Sequence, residues 1–324
     1  MVKVAIAGAS GEIGQSIIDG LLKSSTPFTV TALIRPSSIH NPEINAIKAR
    51  GVSIIPLGLE STHEQLVEAL SGHEVVISAL DPFCVSHQIT LANAASDAKV
   101  GRFVPSAFGP VCPPQGVVAL REMKEEVINY VKNIYLPYTI IDVGWWYQSS
   151  TPNLPSGKID YVLTFGMSRI VEDGSHATCI IDLRDIGKYV AMAIVDDRTL
   201  NKSVLIYNEV RTQEEIYQLL EAESGESLVR SRITRDEITA SIEATRKPYD
   251  DGDRSFALIP LVMAQYHLSI WLRGDNLPER AEYLGYLTSK QLYPDFKYIP
   301  FEEYVDELLK GRGKAVCANG GFGS

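Results

Sequence analysis

Three glycines, Gly8, Gly11 and Gly14, stand three residues apart directly behind the apolar run at residues 2–7. An apolar strand, a tight glycine turn and then a helix make a cradle for the pyrophosphate of a dinucleotide. The first glycine permits the turn, the second lets the backbone approach the phosphates, and the third lets helix and strand pack closely. The helix start adds N–H groups and a partial positive charge. The alternative is a turn that serves packing alone.

The second candidate lies at the end of the next apolar run, Ala32-Leu33-Ile34-Arg35-Pro36-Ser37-Ser38. An acid at this point would bond the ribose 2′-hydroxyl of NAD. No acid is present, and the planar guanidinium of Arg35 suits a 2′-phosphate. NADP(H) is therefore the expected cofactor, with Ser37, Ser38 and His40 as neighbours of less specific chemistry.

The third candidate is a lysine on the wrong face. At about 100° per residue, Leu120, Met123, Val127, Ile128 and Val131 form one apolar arc within residues 117–133, and Lys124 lies inside it. Arg121, Glu122, Glu125, Glu126, Asn129 and Lys132 fall on the remainder of the helix. An inward amine costs free energy unless it snorkels out or finds a partner. Either Lys124 snorkels, or it points into a cleft where lost solvation makes it a useful proton donor or acceptor.

These residues need a frame to hold them. Short apolar runs at residues 29–34, 52–57, 74–80, 102–105 and 138–143 alternate with amphipathic stretches near 62–71, 86–98 and 117–133. Near-continuous apolar strands alternating with helices predict an α/β fold, a doubly wound parallel sheet of Rossmann type covered on both faces. The expected organisation is a nucleotide-binding domain over residues 1–150, to which 176–210 return. A smaller substrate lobe is expected from 151–175 and 211–316, with a frayed tail at 317–324. Thr212 with Glu215, and Thr234 with Glu237, read as capping boxes. Residues 256–272 read as a buried helix rather than a membrane span, being too short and flanked by charge.

Composition narrows the partners. The 324 residues are 45% hydrophobic and 22% charged, ordinary for a soluble globular protein. A net charge of −10 without a basic block argues against a nucleic-acid backbone. The chain opens directly into a core strand, so no signal peptide and no membrane anchoring are expected. Four scattered cysteines predict neither a disulfide framework nor a metal site, and fit a reducing, cytoplasmic setting.

The chain also resembles the NmrA-like and isoflavone-reductase-like branch of atypical short-chain dehydrogenases, in the style of fungal members that act on secondary metabolites. The matching stretches are GASGEIG at 8–14, the strand end at Arg35, VVISAL at 75–80 and RFVPSAFG at 102–109. Further matches are the helix carrying Lys124, LPYTIIDVG at 136–144, DIGKYVA at 185–191 and DRTLNK at 197–202. The resemblance implies that Ser10, Glu12 and Ile13 in the glycine loop, Ala79 and Leu80, Ser106, Ala107 and Phe108, Lys124, Val143 and Trp145 meet the cofactor. It implies that Lys124 assists proton transfer, and that Phe108, Trp145, Trp146 and Tyr147 line the substrate pocket. The family's usual PSEFG is PSAFG here, with Ala107 in place of the acid. Tyr286 and Lys290 match Tyr-x-x-x-Lys but lie far from its usual place, and read as coincidence.

The expected activity is NADPH-dependent reduction of a bulky, largely apolar small molecule at a C=O, C=N or activated C=C bond. Two other classes stay open: a non-catalytic NADP(H)-sensing regulator that acts on a protein partner, and a cyclase or isomerase that keeps NADP(H) as a structural or transient redox partner.

Overall fold

The computed structural model describes residues 1–81, 84, 86–162, 169–252 and 254–316. The expected frayed tail at 317–324 lies outside the described residues.

The first strand, β1 (Val2–Ala7), is buried from Val4 to Ala7 without a break, as a strand covered on both faces must be. It pairs in parallel with β2 (Phe28–Ile34), and β2 with β3 (Ser53–Pro56). On its other side it pairs with β4 (Val75–Ser78), and β4 with β5 (Arg102–Val104), giving the order β3-β2-β1-β4-β5. The crossovers are α1 (Glu12–Leu22), α2 (Pro42–Ala49), α3 (His63–Leu70) and α4 (His87–Asp97). After α5 (Ala119–Asn133), β6 (Thr139–Val143) joins the edge of β5 through a single parallel bridge, Phe103 to Tyr138.

The chain then runs through β7 (Trp145–Trp146), β8 (Ile170–Val171), β9 (Ala177–Ile181), α6 (Leu183–Ala193), β10 (Lys202–Ile206) and β11 (Glu209–Thr212). It continues through α7 (Gln213–Ser224), β12 (Arg232–Ile233), α8 (Arg235–Asp250), α9 (Arg254–Trp271) and α10 (Pro278–Tyr283). The final elements are β13 (Tyr286–Thr288), α11 (Ser289–Leu292) and α12 (Phe301–Leu309). Parallel β10 extends the sheet beyond β6, and β13 lies beside β10. Both expected capping boxes form, at the starts of α7 and α8. Among the described residues, no helix is long and apolar enough to cross a membrane.

The sheet separates two cores. One gathers Ile6, Ile17, Val30, Ile141, Ile186 and Val204, and the other Ala5, Leu66, Leu91, Phe103, Val127 and Val131. A third core joins Tyr147, Ile180, Tyr217, Trp271, Phe301 and Tyr304 in the C-terminal half. The arrangement is the Rossmann-type α/β fold expected from the alternation of strands and helices.

Candidate active site

The glycine turn sits at the carboxyl end of β1, the edge where open parallel sheets bind ligands. Its three glycines turn out to do different things. Gly8 adopts a left-handed φ of +84°, and a Cβ there would stand 2.3 Å from the Ala79 carbonyl oxygen. A Cβ on Gly14 would stand 2.1 Å from the Gly8 carbonyl oxygen, so helix and turn meet at van der Waals limits. A Cβ on Gly11 would meet only the Gly8 carbonyl oxygen, at an ordinary 3.6 Å. The protein itself does not need a glycine at 11; the space it clears lies on the outer side. Gly11 also N-caps α1, and no side chain caps that helix start. Bare backbone, open space and an uncapped helix N-terminus fit a dinucleotide pyrophosphate.

Arg35 follows β2, the strand beside β1, and is exposed. Its guanidinium makes no hydrogen bond or ion pair among the described residues. Its charge reaches Cys84 beyond the end of β4, where burial first, and then nearby Asp81, push the thiol up. Ala79 and Leu80, half-buried, continue β4 past the glycine turn, and the Ala79 amide donates to the Ala7 carbonyl at 2.8 Å. The cradle thus lies between two strand ends, with a free guanidinium on one side.

The turn after β5 carries the next candidates. The Ser106 hydroxyl donates to the Leu80 carbonyl at 2.8 Å, and its amide donates to Gln88 Oε1 at 2.7 Å. Ser106 is therefore committed to tying the ends of β4 and β5 together. Phe108 has a positive φ of 23°, an unusual value for a bulky side chain, and its amide donates to the Ile141 carbonyl at 2.9 Å. Ala107 is buried against Ile128 and Ile140.

Lys124 reaches this turn from α5. The arc around it forms as expected: Leu120, Val127 and Val131 are buried in the core, and Met123 packs against it. The lysine does not snorkel away. Its Nζ donates to the Ala107 carbonyl, and lost solvation lowers its proton affinity to a pKa of about 8. Asp142 opposes that fall, while the positive charge of Arg121 adds to it. An amine titrating near neutrality is suited to moving protons in either direction.

The aromatic segment divides. Trp145 and Trp146 form β7, which pairs in parallel with β9 at Ile180 and Ile181. Trp145 is half-buried, and its ring meets that of Tyr266 edge-on at 5.7 Å. Its indole N–H donates to the Ser149 carbonyl, which fixes the ring plane. Trp146 packs toward the core that contains β1 and α6. Tyr147 is fully buried against Phe301 and Tyr304, and its hydroxyl donates to the Ile299 carbonyl. The structure therefore brings Lys124, the Ala107–Phe108 turn, Val143 and Trp145 together, and turns Tyr147 into the C-terminal core.

Two features escaped the sequence reading. Arg121, assigned to the polar side of its helix, is buried and donates to Asp142 Oδ2, Glu125 and the Tyr286 hydroxyl. Tyr286 in turn donates to Asp142 at 2.6 Å. This cluster lies behind Lys124 and influences its charge. The sequence signal was the lone acid in the strand Thr-Ile-Ile-Asp-Val, a charge that must find partners when the strand is buried. The second is Tyr266 on α9, in a helix read only as apolar core.

A family model described as the NmrA-like family matches residues 2–305. The chain is 40% identical to asnovolin J 5′,6′-dehydrogenase of Aspergillus novofumigatus, with 98% of each chain covered. It is 29% identical to an isoflavone reductase-like protein of Olea europaea, covering 95% of this chain and 98% of that one. Among solved structures it resembles isoflavone reductase, with a TM-score of 0.76 and 24% identity over 94% of this chain and 98% of the other. It also resembles the leucoanthocyanidin reductase–NADPH complex of Vitis vinifera, with a TM-score of 0.78 and 23% identity over 95% and 99%.

Proposed function

The chain belongs to the NmrA-like family, and on that premise we propose that it is an NADP(H)-dependent oxidoreductase acting on a bulky, largely apolar secondary metabolite. The observation that carries this reading is Lys124: a half-buried lysine whose amine is held by the Ala107 carbonyl, at the same carboxyl edge of the sheet as an open glycine cradle. A dinucleotide-binding protein without chemistry has no need to hold an amine out of water at that place.

Bound NADP(H) supplies or takes up the hydride. The backbone of Gly8–Gly14 and the start of α1 would hold the pyrophosphate, with Ser10, Glu12 and Ile13 in contact, and Arg35 would pair with the 2′-phosphate. Ala79, Leu80, Ser106, Ala107, Phe108 and Val143 line the path toward the acceptor. Phe108 and Trp145 form its apolar wall. Lys124, directly or through water, protonates the acceptor atom in the reductive direction. With a pKa near 8 it exists in both forms around neutral pH, so the reverse step, accepting a proton, is equally open to it.

The leading direction is reduction of a C=O, C=N or activated C=C bond. The name of the 40% identical relative, a 5′,6′-dehydrogenase, favours a second reading, in which the same site desaturates its substrate with NADP⁺. Labelled NADPH carrying deuterium at C4, incubated with the protein and a small-molecule extract of its source, tests the proposal. One product should gain one deuterium by mass spectrometry. Tight NADPH binding with no label transferred, and no NADPH formed from NADP⁺, would favour the sensing regulator.

A further inference from the structure

α9 is apolar along most of its length, and Tyr266 is one of the few places where it carries a polar tip. The ring of Tyr266 packs against two different cores, the one containing Leu120 and Val127 and the one containing Tyr147 and Trp271. It therefore stands on the seam between the sheet and the C-terminal half. Its hydroxyl makes no hydrogen bond among the described residues, although a phenol in such a place normally finds a partner.

What the hydroxyl faces is the site. A Cβ built on Gly109 would lie 3.5 Å from Tyr266 Oη and 3.5 Å from Lys124 Nζ. The two polar heads flank the same empty spot, no more than twice that distance apart. The Ala107 carbonyl borders it at 3.4 Å and holds Lys124 from one side. The placement is fixed by neighbours: Gln265 Oε1 accepts from the Ala119 amide at 2.9 Å, pinning α9 to the start of the lysine helix. Trp145 closes the edge of the ring. Burial pushes the phenol up, so at physiological pH it remains a donor.

We propose that the Tyr266 hydroxyl is a second hydrogen-bond donor to the substrate, sharing with Lys124 the space beside Gly109, and that this pair selects acceptors bearing an oxygen at the reacting position. Two donors converging on one point suit a carbonyl oxygen, which has two lone pairs, better than an isolated C=N or hydrocarbon double bond. Tyr266 touches the acceptor and orients it; Lys124 moves the proton. This assignment rests on the oxidoreductase reading above.

The test uses 4-chromanone and chroman, bicycles of one shape with and without the ketone oxygen, titrated calorimetrically against the NADP⁺-loaded full chain. The wild type should bind the ketone about 10-fold or more tightly than chroman, the worth of one or two hydrogen bonds. Tyr266→Phe keeps the ring against Trp145 and should reduce that preference by about 5–10-fold, with chroman affinity and NADPH affinity unchanged. Adding Lys124→Met should erase what preference remains. An undiminished ketone preference in Tyr266→Phe, or a wild type that binds NADPH but does not distinguish the two bicycles, would overturn the proposal. A wild type unable to bind NADPH at all would instead overturn the oxidoreductase reading, and this assignment with it.

Discussion

At the proposed pyrophosphate cradle the working parts are backbone: a turn, a bare Gly11 and an uncapped helix start, all within seven residues of sequence. At the acceptor end they are side chains from α5, β7 and α9, spread from Lys124 to Tyr266. The first end, on the proposed reading, has to hold phosphates, whose charge and shape are the same for every enzyme using the cofactor, so a local motif suffices. The second end must match one substrate, and nothing forces its residues to be near one another in sequence. The cofactor end tolerates little change in its backbone, while the acceptor end tolerates changes that keep packing and alter chemistry.

The sharpest way to separate the two ends is Lys124→Met, which keeps the helix face packed and should leave NADPH binding unchanged. Single-turnover hydride transfer with saturating cofactor should fall by about 10²–10⁴-fold. Lys124→Arg should fail too, because a guanidinium does not release its proton near neutrality. Transfer to an acceptor by the wild type should decline as pH rises through about 8, where the amine loses its proton. The opposite direction should gain over the same interval. Unchanged transfer in Lys124→Met would remove the residue from the chemistry.

At the cofactor end, Gly11→Val and Gly14→Val should break in different ways. Gly11→Val should lower NADPH affinity by about 100-fold or more, because its side chain fills the phosphate space, while the melting temperature stays near that of the wild type. Gly14→Val should lose stability itself, since its Cβ would press on the Gly8 carbonyl at 2.1 Å. Equal melting temperatures for the two variants would contradict the division of labour in the loop.

Arg35→Ala should have a smaller and more selective effect. Loss of a charge-assisted pair is worth about 1.5–3 kcal/mol, which corresponds to roughly 10–150-fold weaker NADPH binding. NADH binding should change little. A titration showing the same loss for both dinucleotides would exclude the 2′-phosphate contact.

The smallest expected effect concerns stability at the acceptor end. Lys124 titrates at about 8 in the folded chain against an ordinary 10.5, so the unfolded chain binds more protons between those values. Stability therefore rises with pH across that window, and the burial cost is fully present below about 8. Lys124→Met should be more stable than the wild type by about 1–3 kcal/mol at pH 7, with the gap closing as pH approaches 10.5. A gap independent of pH in denaturant melts would mean that the amine is not held out of solvent.

Much of this molecule could be read before any coordinates. The strand–glycine–helix start, the alternation of apolar runs with helices, the capping boxes at Thr212 and Thr234 and the inward lysine all depend on neighbours within one or two turns of chain. Period and turn chemistry are local properties, so a linear reading reaches them. The tertiary structure decided the rest. Arg121 belongs to the polar side by helical angle, yet it is buried because Asp142 and Tyr286, remote in sequence, supply its partners. Tyr147 packs toward the same core as Trp145, but the chain leaves β7 for a single turn at Tyr147–Ser149, and Phe301 and Tyr304, remote in sequence, bury it completely. Tyr266 reads as one more apolar position until α9 is docked on α5 and its hydroxyl meets the space beside Gly109. In each case the deciding quantity is a distance between segments that no spacing along the chain encodes.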